Sequence, residues 1–125
     1  MKSRRRPTDA EVAILRVLWA RGPSTVREVA AAMGRENAYT TVLKLLQIMT
    51  DKGLVRRDES ERTHVYKATA SEDRTKRQLV AELVDKVFGG SAAKLVMQAL
   101  SAGKASPEEI AEIRKLLDTH RGGRR

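Results

Sequence analysis

Thr40, Thr41, Lys44 and Gln47 set two hydroxyls, a cation and an amide close together in the run AYTTVLKLLQIMTDK. If that run is helical, about 100° per residue puts Thr40, Lys44, Gln47 and Asp51 along one side. Val42, Leu45, Leu46 and Met49 then fall on the opposite side, at the spacing of a buried stripe. Short hydroxyls, a long cation and an amide on an outward face can donate to phosphates or read base edges. The chemistry they suit is recognition of a nucleic acid rather than bond-making. Leu43 flanks the stripe toward solvent, where it can meet a thymine methyl. Asp51 sits at the far end, where repulsion from phosphate matters less. Tyr39, in the first turn, has two readings that stay open: its hydroxyl reaches a phosphate, or its ring packs on the preceding helix.

On a lone helix the same face is as readily an ordinary solvated surface, so the segment that follows decides the reading. After Gly53, Leu54-Val55 and Val65-Tyr66 are strand-like, and the intervening RRDESERTH is polar and turn-prone. That pattern predicts a β-hairpin. Arg62, Thr63 and His64 are its candidates for contact with a phosphate backbone or minor groove. Strand alternation lets one of Arg56 and Arg57 join them, and Arg57 is the candidate. Glu59 and Glu61 weaken the hairpin's attraction for phosphate.

Nothing comparable points to catalysis. The chain has no cysteine and only two histidines, of which His64 lies in the hairpin and His120 near the C-terminal end. Disulfides and thiolate metal sites are excluded. No His, Asp and Glu set has metal-ligand spacing, and there is no glycine-rich phosphate loop. No enzyme activity, metal or cofactor is expected.

Two helices must position the third. Thr8 with Glu11, and Thr25 with Glu28, have the spacing of capping boxes. Val12, Leu15, Leu18 and Trp19 follow the first cap at helical spacing, with Ile14 on the flank, until Gly22-Pro23. Trp19 is expected in the core. Val26, Val29, Ala30 and Met33 give a short second helix its apolar face before Gly34. Asn37 can cap the third helix, which runs to about Lys52. Three helices and a hairpin over residues 8–70 make a winged helix-turn-helix, which sets one helix in the major groove and a hairpin on the backbone.

Residues 71–120 read as three further helices. Ser71 caps the first, with Leu79, Val80, Leu83, Val84, Val87 and Phe88 on one stripe before Gly89-Gly90. Leu95, Val96, Ala99 and Leu100 line the second. Ser106-Pro107-Glu108-Glu109 opens the third with Ser as cap, Pro first and Glu third; Ile110, Ile113, Leu116 and Leu117 line it. So short a segment encloses little apolar surface by itself. These stripes, Ala99 and Leu116 aside, are the expected contacts with a second copy in a homodimer.

The 125 residues carry a net charge of +9. Lys2, Arg4, Arg5 and Arg6 at one end, and Arg121, Arg124 and Arg125 at the other, supply most of that excess. Net charge alone therefore says little about nucleic acid, and the charge on the third helix and hairpin has to carry the case. Residues 1–7 read as a flexible basic arm and 121–125 as a disordered basic tail, adding either nonspecific DNA contacts or only solubility. No apolar run is long enough to span a bilayer, and no signal peptide is visible. A cytoplasmic protein without membrane insertion is expected.

The stretches TDAEVAILRVLW, TVREVAAAM, AYTTVLKLLQIMTDKGLVRR and HVYKA resemble the penicillinase-repressor family, of the BlaI, MecI and CopY type. FGGSAAKLVMQAL and SPEEIAEIRKLLD are similar to that family's dimerisation segment, so the resemblance spans residues 7–120. It implies a cytoplasmic homodimer that represses its own operon by binding an inverted repeat, often built on TACA and TGTA halves. On that resemblance, Thr40, Thr41, Leu43 and Lys44 occupy the part of the helix that meets bases and phosphates. Two departures matter. Copper-responsive members carry C-terminal cysteine pairs; this chain has none, so copper sensing by that route is out. In β-lactam-responsive members a membrane sensor peptidase's signal leads to cleavage at an Asn-Phe bond in the C-terminal domain. The matching stretch here, Met97-Gln98-Ala99, has no such bond. A sensor peptidase acting at another bond stays open as a partner.

The sequence thus predicts a mainly α protein with a small β-hairpin: a winged helix-turn-helix followed by a helical dimerisation segment. Its expected role is a homodimeric repressor on double-stranded operator DNA. Two alternatives stay open. One is a winged helix used as a protein-interaction module without specific DNA. The other is a regulator that answers a small molecule, against which the scarcity of aromatic residues argues.

Overall fold

The computed structural model describes residues 6–34 and 38–124. Asn37, the expected cap, and the arm residues Lys2, Arg4 and Arg5 lie outside them.

Thr8 Oγ1 accepts the Glu11 N–H at 3.2 Å, and Glu11 Oε1 accepts the Thr8 N–H at 2.9 Å. This reciprocal pair satisfies two N–H groups that a helix start leaves open, and α1 (Asp9–Arg21) grows from it. Ile14, expected on the flank, lies with Leu15 and Leu18 on the buried face and has no exposure at all. Trp19 is half-buried, and its indole N–H donates to the Ala70 carbonyl at 3.1 Å, tying α1 to the chain beyond the hairpin. After Gly22 comes a strand that the sequence did not predict, β1 (Ser24–Thr25). The second capping box, Thr25 with Glu28, then opens α2 (Val26–Ala32).

Helix α3 (Tyr39–Lys52) begins after Ala38 with no side-chain cap. Val42, Leu46 and Met49 are buried along it and Leu45 half-buried. Gly53, in left-handed backbone at φ 82°, stops the helix. The Leu54 N–H returns to the Met49 carbonyl at 2.9 Å, closing the last turn and aiming the chain into the hairpin. Strands β2 (Val55–Asp58) and β3 (Val65–Ala68) pair antiparallel, and β3 also pairs with β1, giving the order β1-β3-β2. β2 takes in Arg56, Arg57 and Asp58, which the sequence assigned to the loop. Ladder bonds to β3 outweigh the poor strand preference of charged residues on an exposed strand.

Ile14, Leu15 and Leu18 of α1, Val26, Val29 and Ala30 of α2, Val42, Leu46 and Met49 of α3, and Val55 and Tyr66 of the sheet form one core. At its edge Lys52 Nζ meets Glu11 Oε1 at 2.7 Å, with the side chains 18% and 3% exposed. The capping carboxylate of α1 thereby also holds the last turn of α3. Glu11→Ala removes a cap and leaves a largely sheltered ammonium without its partner. It is expected to lower stability by about 2–3 kcal/mol. Urea denaturation checks this, and a loss under about 1 kcal/mol would show the pair to be incidental.

Two compact units divide the chain, one up to Leu79 and one from Val80. The division falls inside α4 (Glu72–Val87). Ser71 Oγ accepts the Arg74 N–H at the start of α4. Glu72–Lys76 at 2.7 Å and Asp73–Arg77 brace its solvated first turns across i,i+4. Ser91 caps α5 (Ala92–Ser101), and the predicted Ser106–Glu109 box with Pro107 opens α6 (Pro107–Arg124). α6 runs on to Arg124, through residues expected as a disordered tail. No proline interrupts it there, and extending a formed helix is far cheaper than starting one.

Candidate nucleic-acid interface

Burying Val42, Leu46 and Met49 fixes the rotation of α3, so Thr40, Thr41, Lys44, Gln47 and Asp51 are all exposed on its outer side. Lys44 has no carboxylate partner among the described residues. Leu43 departs from expectation. It is half-buried and packs against the core, so only an edge of it faces outward. Ile48, which the sequence reading passed over, is the more exposed apolar side chain at 40%. It lies one turn beyond Lys44, on the flank opposite Leu43.

Four of the predicted residues converge. Tyr39 and Leu43 of α3 line one cleft with Arg62 and His64 of the hairpin loop, over the buried Tyr66. Thr63 and the start of α2 complete its walls. The Arg27 guanidinium of α2 lies over the Tyr39 ring, 5.6 Å from its centroid. Arg27 carried no signal in the sequence, because a lone arginine on a short helix reads as surface.

Arg57 does not join that group. It faces a separate cleft beside Arg56, Glu59 and Lys67. Its Nε meets Glu59 at 2.6 Å, and Tyr66 is its register partner on β3. Its hydrogen bond to the Tyr66 side chain, then the Glu59 charge, raise the Arg57 pKa above its usual value. Glu59 therefore already neutralises much of the charge that Arg57 can offer. In the adjoining turn Asp58 Oδ1 accepts the Ser60 N–H at 2.9 Å. That backbone bond, then the Ser60 hydroxyl, hold the Asp58 carboxyl below its ordinary range.

The second unit shows a different surface. No residue of α4 or α5 is buried. Val84, Phe88, Leu95, Ile110 and Ile113 are half-buried, as is Leu79 at the end of the first unit. Val80, Leu83, Val87, Val96, Leu100 and Leu117 are exposed, as are Met97 and Leu116. Between α5 and α6 runs a groove of about 800 Å³ whose walls include Leu95, Val96, Leu100, Ile113 and Leu116. Among the described residues there is no group of three or more His, Asp and Glu able to hold a metal ion. No helix among them is long and apolar enough to cross a membrane.

A protein-family model described as penicillinase repressor matches residues 7–119. The penicillinase repressor of Staphylococcus aureus is 22% identical over 111 residues, covering 87% of this chain and 88% of that protein. The transcriptional regulator BlaI of Mycobacterium tuberculosis is 39% identical over 79 residues, covering 61% of this chain and 54% of that protein. A solved MarR family transcriptional regulator from Silicibacter pomeroyi aligns at 22% identity with a TM-score of 0.47, over 92% of this chain and 69% of that one.

Proposed function

The chain belongs to the penicillinase-repressor family, whose members are transcriptional regulators and not enzymes, and from that premise we propose a cytoplasmic, homodimeric repressor of an inverted-repeat operator. The observation that carries the reading is the outward donor face of α3, flanked by a hairpin that brings Arg62 and His64 beside it. In a winged helix that face enters the major groove. Thr40, Thr41, Lys44 and Gln47 then reach phosphates and base edges, while Leu43 and Ile48 offer apolar edges to thymine methyls. Two copies related by a twofold axis would set their third helices about 34 Å apart on one face of the duplex. The exposed stripes of α4, α5 and α6 are the surface that a second copy would cover. Repression follows from occupying the site that polymerase needs.

The test is an affinity ratio. The full chain is titrated against a duplex from upstream of its own gene and a scrambled duplex of equal length, at one stated salt concentration. A specific repressor binds the first about a thousandfold or more tighter. A ratio near one would favour a winged helix used as a protein-interaction module.

Lys44→Ala gives a finer check. If Lys44 touches phosphate, its removal lowers the slope of log affinity against log salt by about one per bound protomer. An unchanged slope and affinity would take Lys44 out of the interface.

A further inference from the structure

We propose that Arg27 of α2 is a third arm of the DNA interface: it contacts a backbone phosphate, and Tyr39 is the positioning residue that holds it there. This rests on the DNA-binding reading above and adds an element, α2, on which no binding residue has yet been placed.

Arg27 is exposed, yet it is not left to wander. Its guanidinium lies over the Tyr39 ring, with 5.6 Å between Cζ and the ring centroid. The adjacent carboxylate, Glu28, is committed elsewhere. Its Oε1 accepts the Thr25 N–H at 2.9 Å, and its Oε2 lies 3.9 Å from Arg21. Arg27 therefore has an aromatic neighbour and, among the described residues, no carboxylate partner. A guanidinium held over a ring by cation–π attraction spends no N–H donor on an ion pair, so its donors remain to fork onto a phosphate. An ion pair would have consumed those donors. The ring contact also narrows the side chain's freedom beforehand, so less rotamer entropy is lost when it binds.

The surroundings say what it would bind. Arg27 and Tyr39 share a cleft of about 540 Å³ with Arg62, Thr63 and His64 of the hairpin loop. Arg62, like Arg27, has no carboxylate partner among the described residues. Two guanidiniums, one on α2 and one in the hairpin loop, line this cleft with a hydroxyl and an imidazole; Glu28 lines it too but is engaged with Thr25 and Arg21, so the set suits one anion. The wall that joins them is the first turn of α3, the helix proposed to enter the major groove. A duplex seated on α3 would pass its sugar-phosphate backbone along that wall. In a helix-turn-helix the helix before the recognition helix crosses the backbone, which is the position of α2. The anion would thus be a phosphate of the same duplex, contacted without regard to sequence.

Fluorescence anisotropy with the full chain tests this, using an operator duplex and a scrambled duplex over a salt series. Arg27→Ala is expected to weaken both duplexes by the same factor, about tenfold, and to lower the salt slope by about one per bound protomer. Tyr39→Leu should copy that loss, and Tyr39→Phe, which keeps the ring, should recover it. The double variant Arg27→Ala, Tyr39→Leu should be no worse than Arg27→Ala alone. Wild-type discrimination with an unchanged slope and affinity in Arg27→Ala would overturn the proposal and leave the DNA-binding reading standing. A loss confined to the operator would also overturn it, since that is base reading. If Tyr39→Phe lost as much as Tyr39→Leu, the positioning role would fall, because the hydroxyl and not the ring would be at work. If the wild type did not distinguish the duplexes, the DNA-binding reading would fall, and this proposal with it.

Discussion

Replacing both Leu83 and Val87 with glutamate is expected to give a monomer that binds operator about a thousandfold more weakly. Both side chains sit one turn apart on α4, 44% and 64% exposed in the single chain, with Val80 at 48% on the same stripe. Covering an aliphatic side chain of this size is worth about 1.5–3 kcal/mol, and a twofold interface counts each side chain twice. Glutamate forfeits that gain and adds the cost of bringing like charges together without water. Because the positions are solvated in the single chain, its fold should survive, and far-UV circular dichroism should show helix content unchanged. The loss on DNA then follows from valence. One protomer engages one half-site, and the linkage that multiplies affinity by about 10²–10⁴ is gone. Sedimentation gives the first reading and operator titration the second. A dimer that survives the double substitution would move the interface off this stripe, toward the α5–α6 groove.

The second large effect lies in the core. Leu46→Ala is expected to cost about 2–5 kcal/mol, a large share of the stability of a small domain. Leu46 has no exposure, and it packs among side chains from α1, α2 and the sheet that leave little room to collapse into the space. Its neighbour Gln47 points the other way and is exposed. Gln47→Ala should therefore change stability by less than about 0.5 kcal/mol. If its amide reads a base, it should also weaken operator binding by about tenfold or more. Thermal melts beside titrations separate the two. A Leu46→Ala protein that melts like the wild type would mean that α3 is not pinned by its inner face, and the rotation that presents Thr40 and Lys44 would lose its cause.

That rotation was the most legible part of the sequence. Spacings of 3, 4 and 7 put Val42, Leu45, Leu46 and Met49 on the inner side, where all but the half-buried Leu45 are buried, and the outer donors follow. The capping boxes at Thr8, Thr25 and Ser106 were legible for the same reason, since each is a local bond between residues three apart. What the sequence withheld depends on contact between distant residues. β1 is two residues long and exists only because β3 lies beside it. The Glu11–Lys52 pair joins helices far apart in the chain, and a capping role already accounted for Glu11. Arg27 over Tyr39 is of the same kind. Helical angle alone does not show the hairpin loop beside the flank of α3, so the half-burial of Leu43 is not legible from spacing. The end of α6 was misplaced because a glycine pair near a terminus reads as a stop, although nothing there forbids another turn.

The central claim is that folded structure, and not the basic ends, directs this protein to one DNA site. It is tested most directly by a nuclease footprint upstream of its own gene, at about 150 mM salt, where screening already blunts distant charge. The full chain would be compared with a version in which Lys2, Arg4, Arg5, Arg6, Arg121, Arg124 and Arg125 are all glutamine. The account predicts one protected inverted repeat that persists in the neutralised version. Diffuse protection that disappears with those seven charges would contradict it.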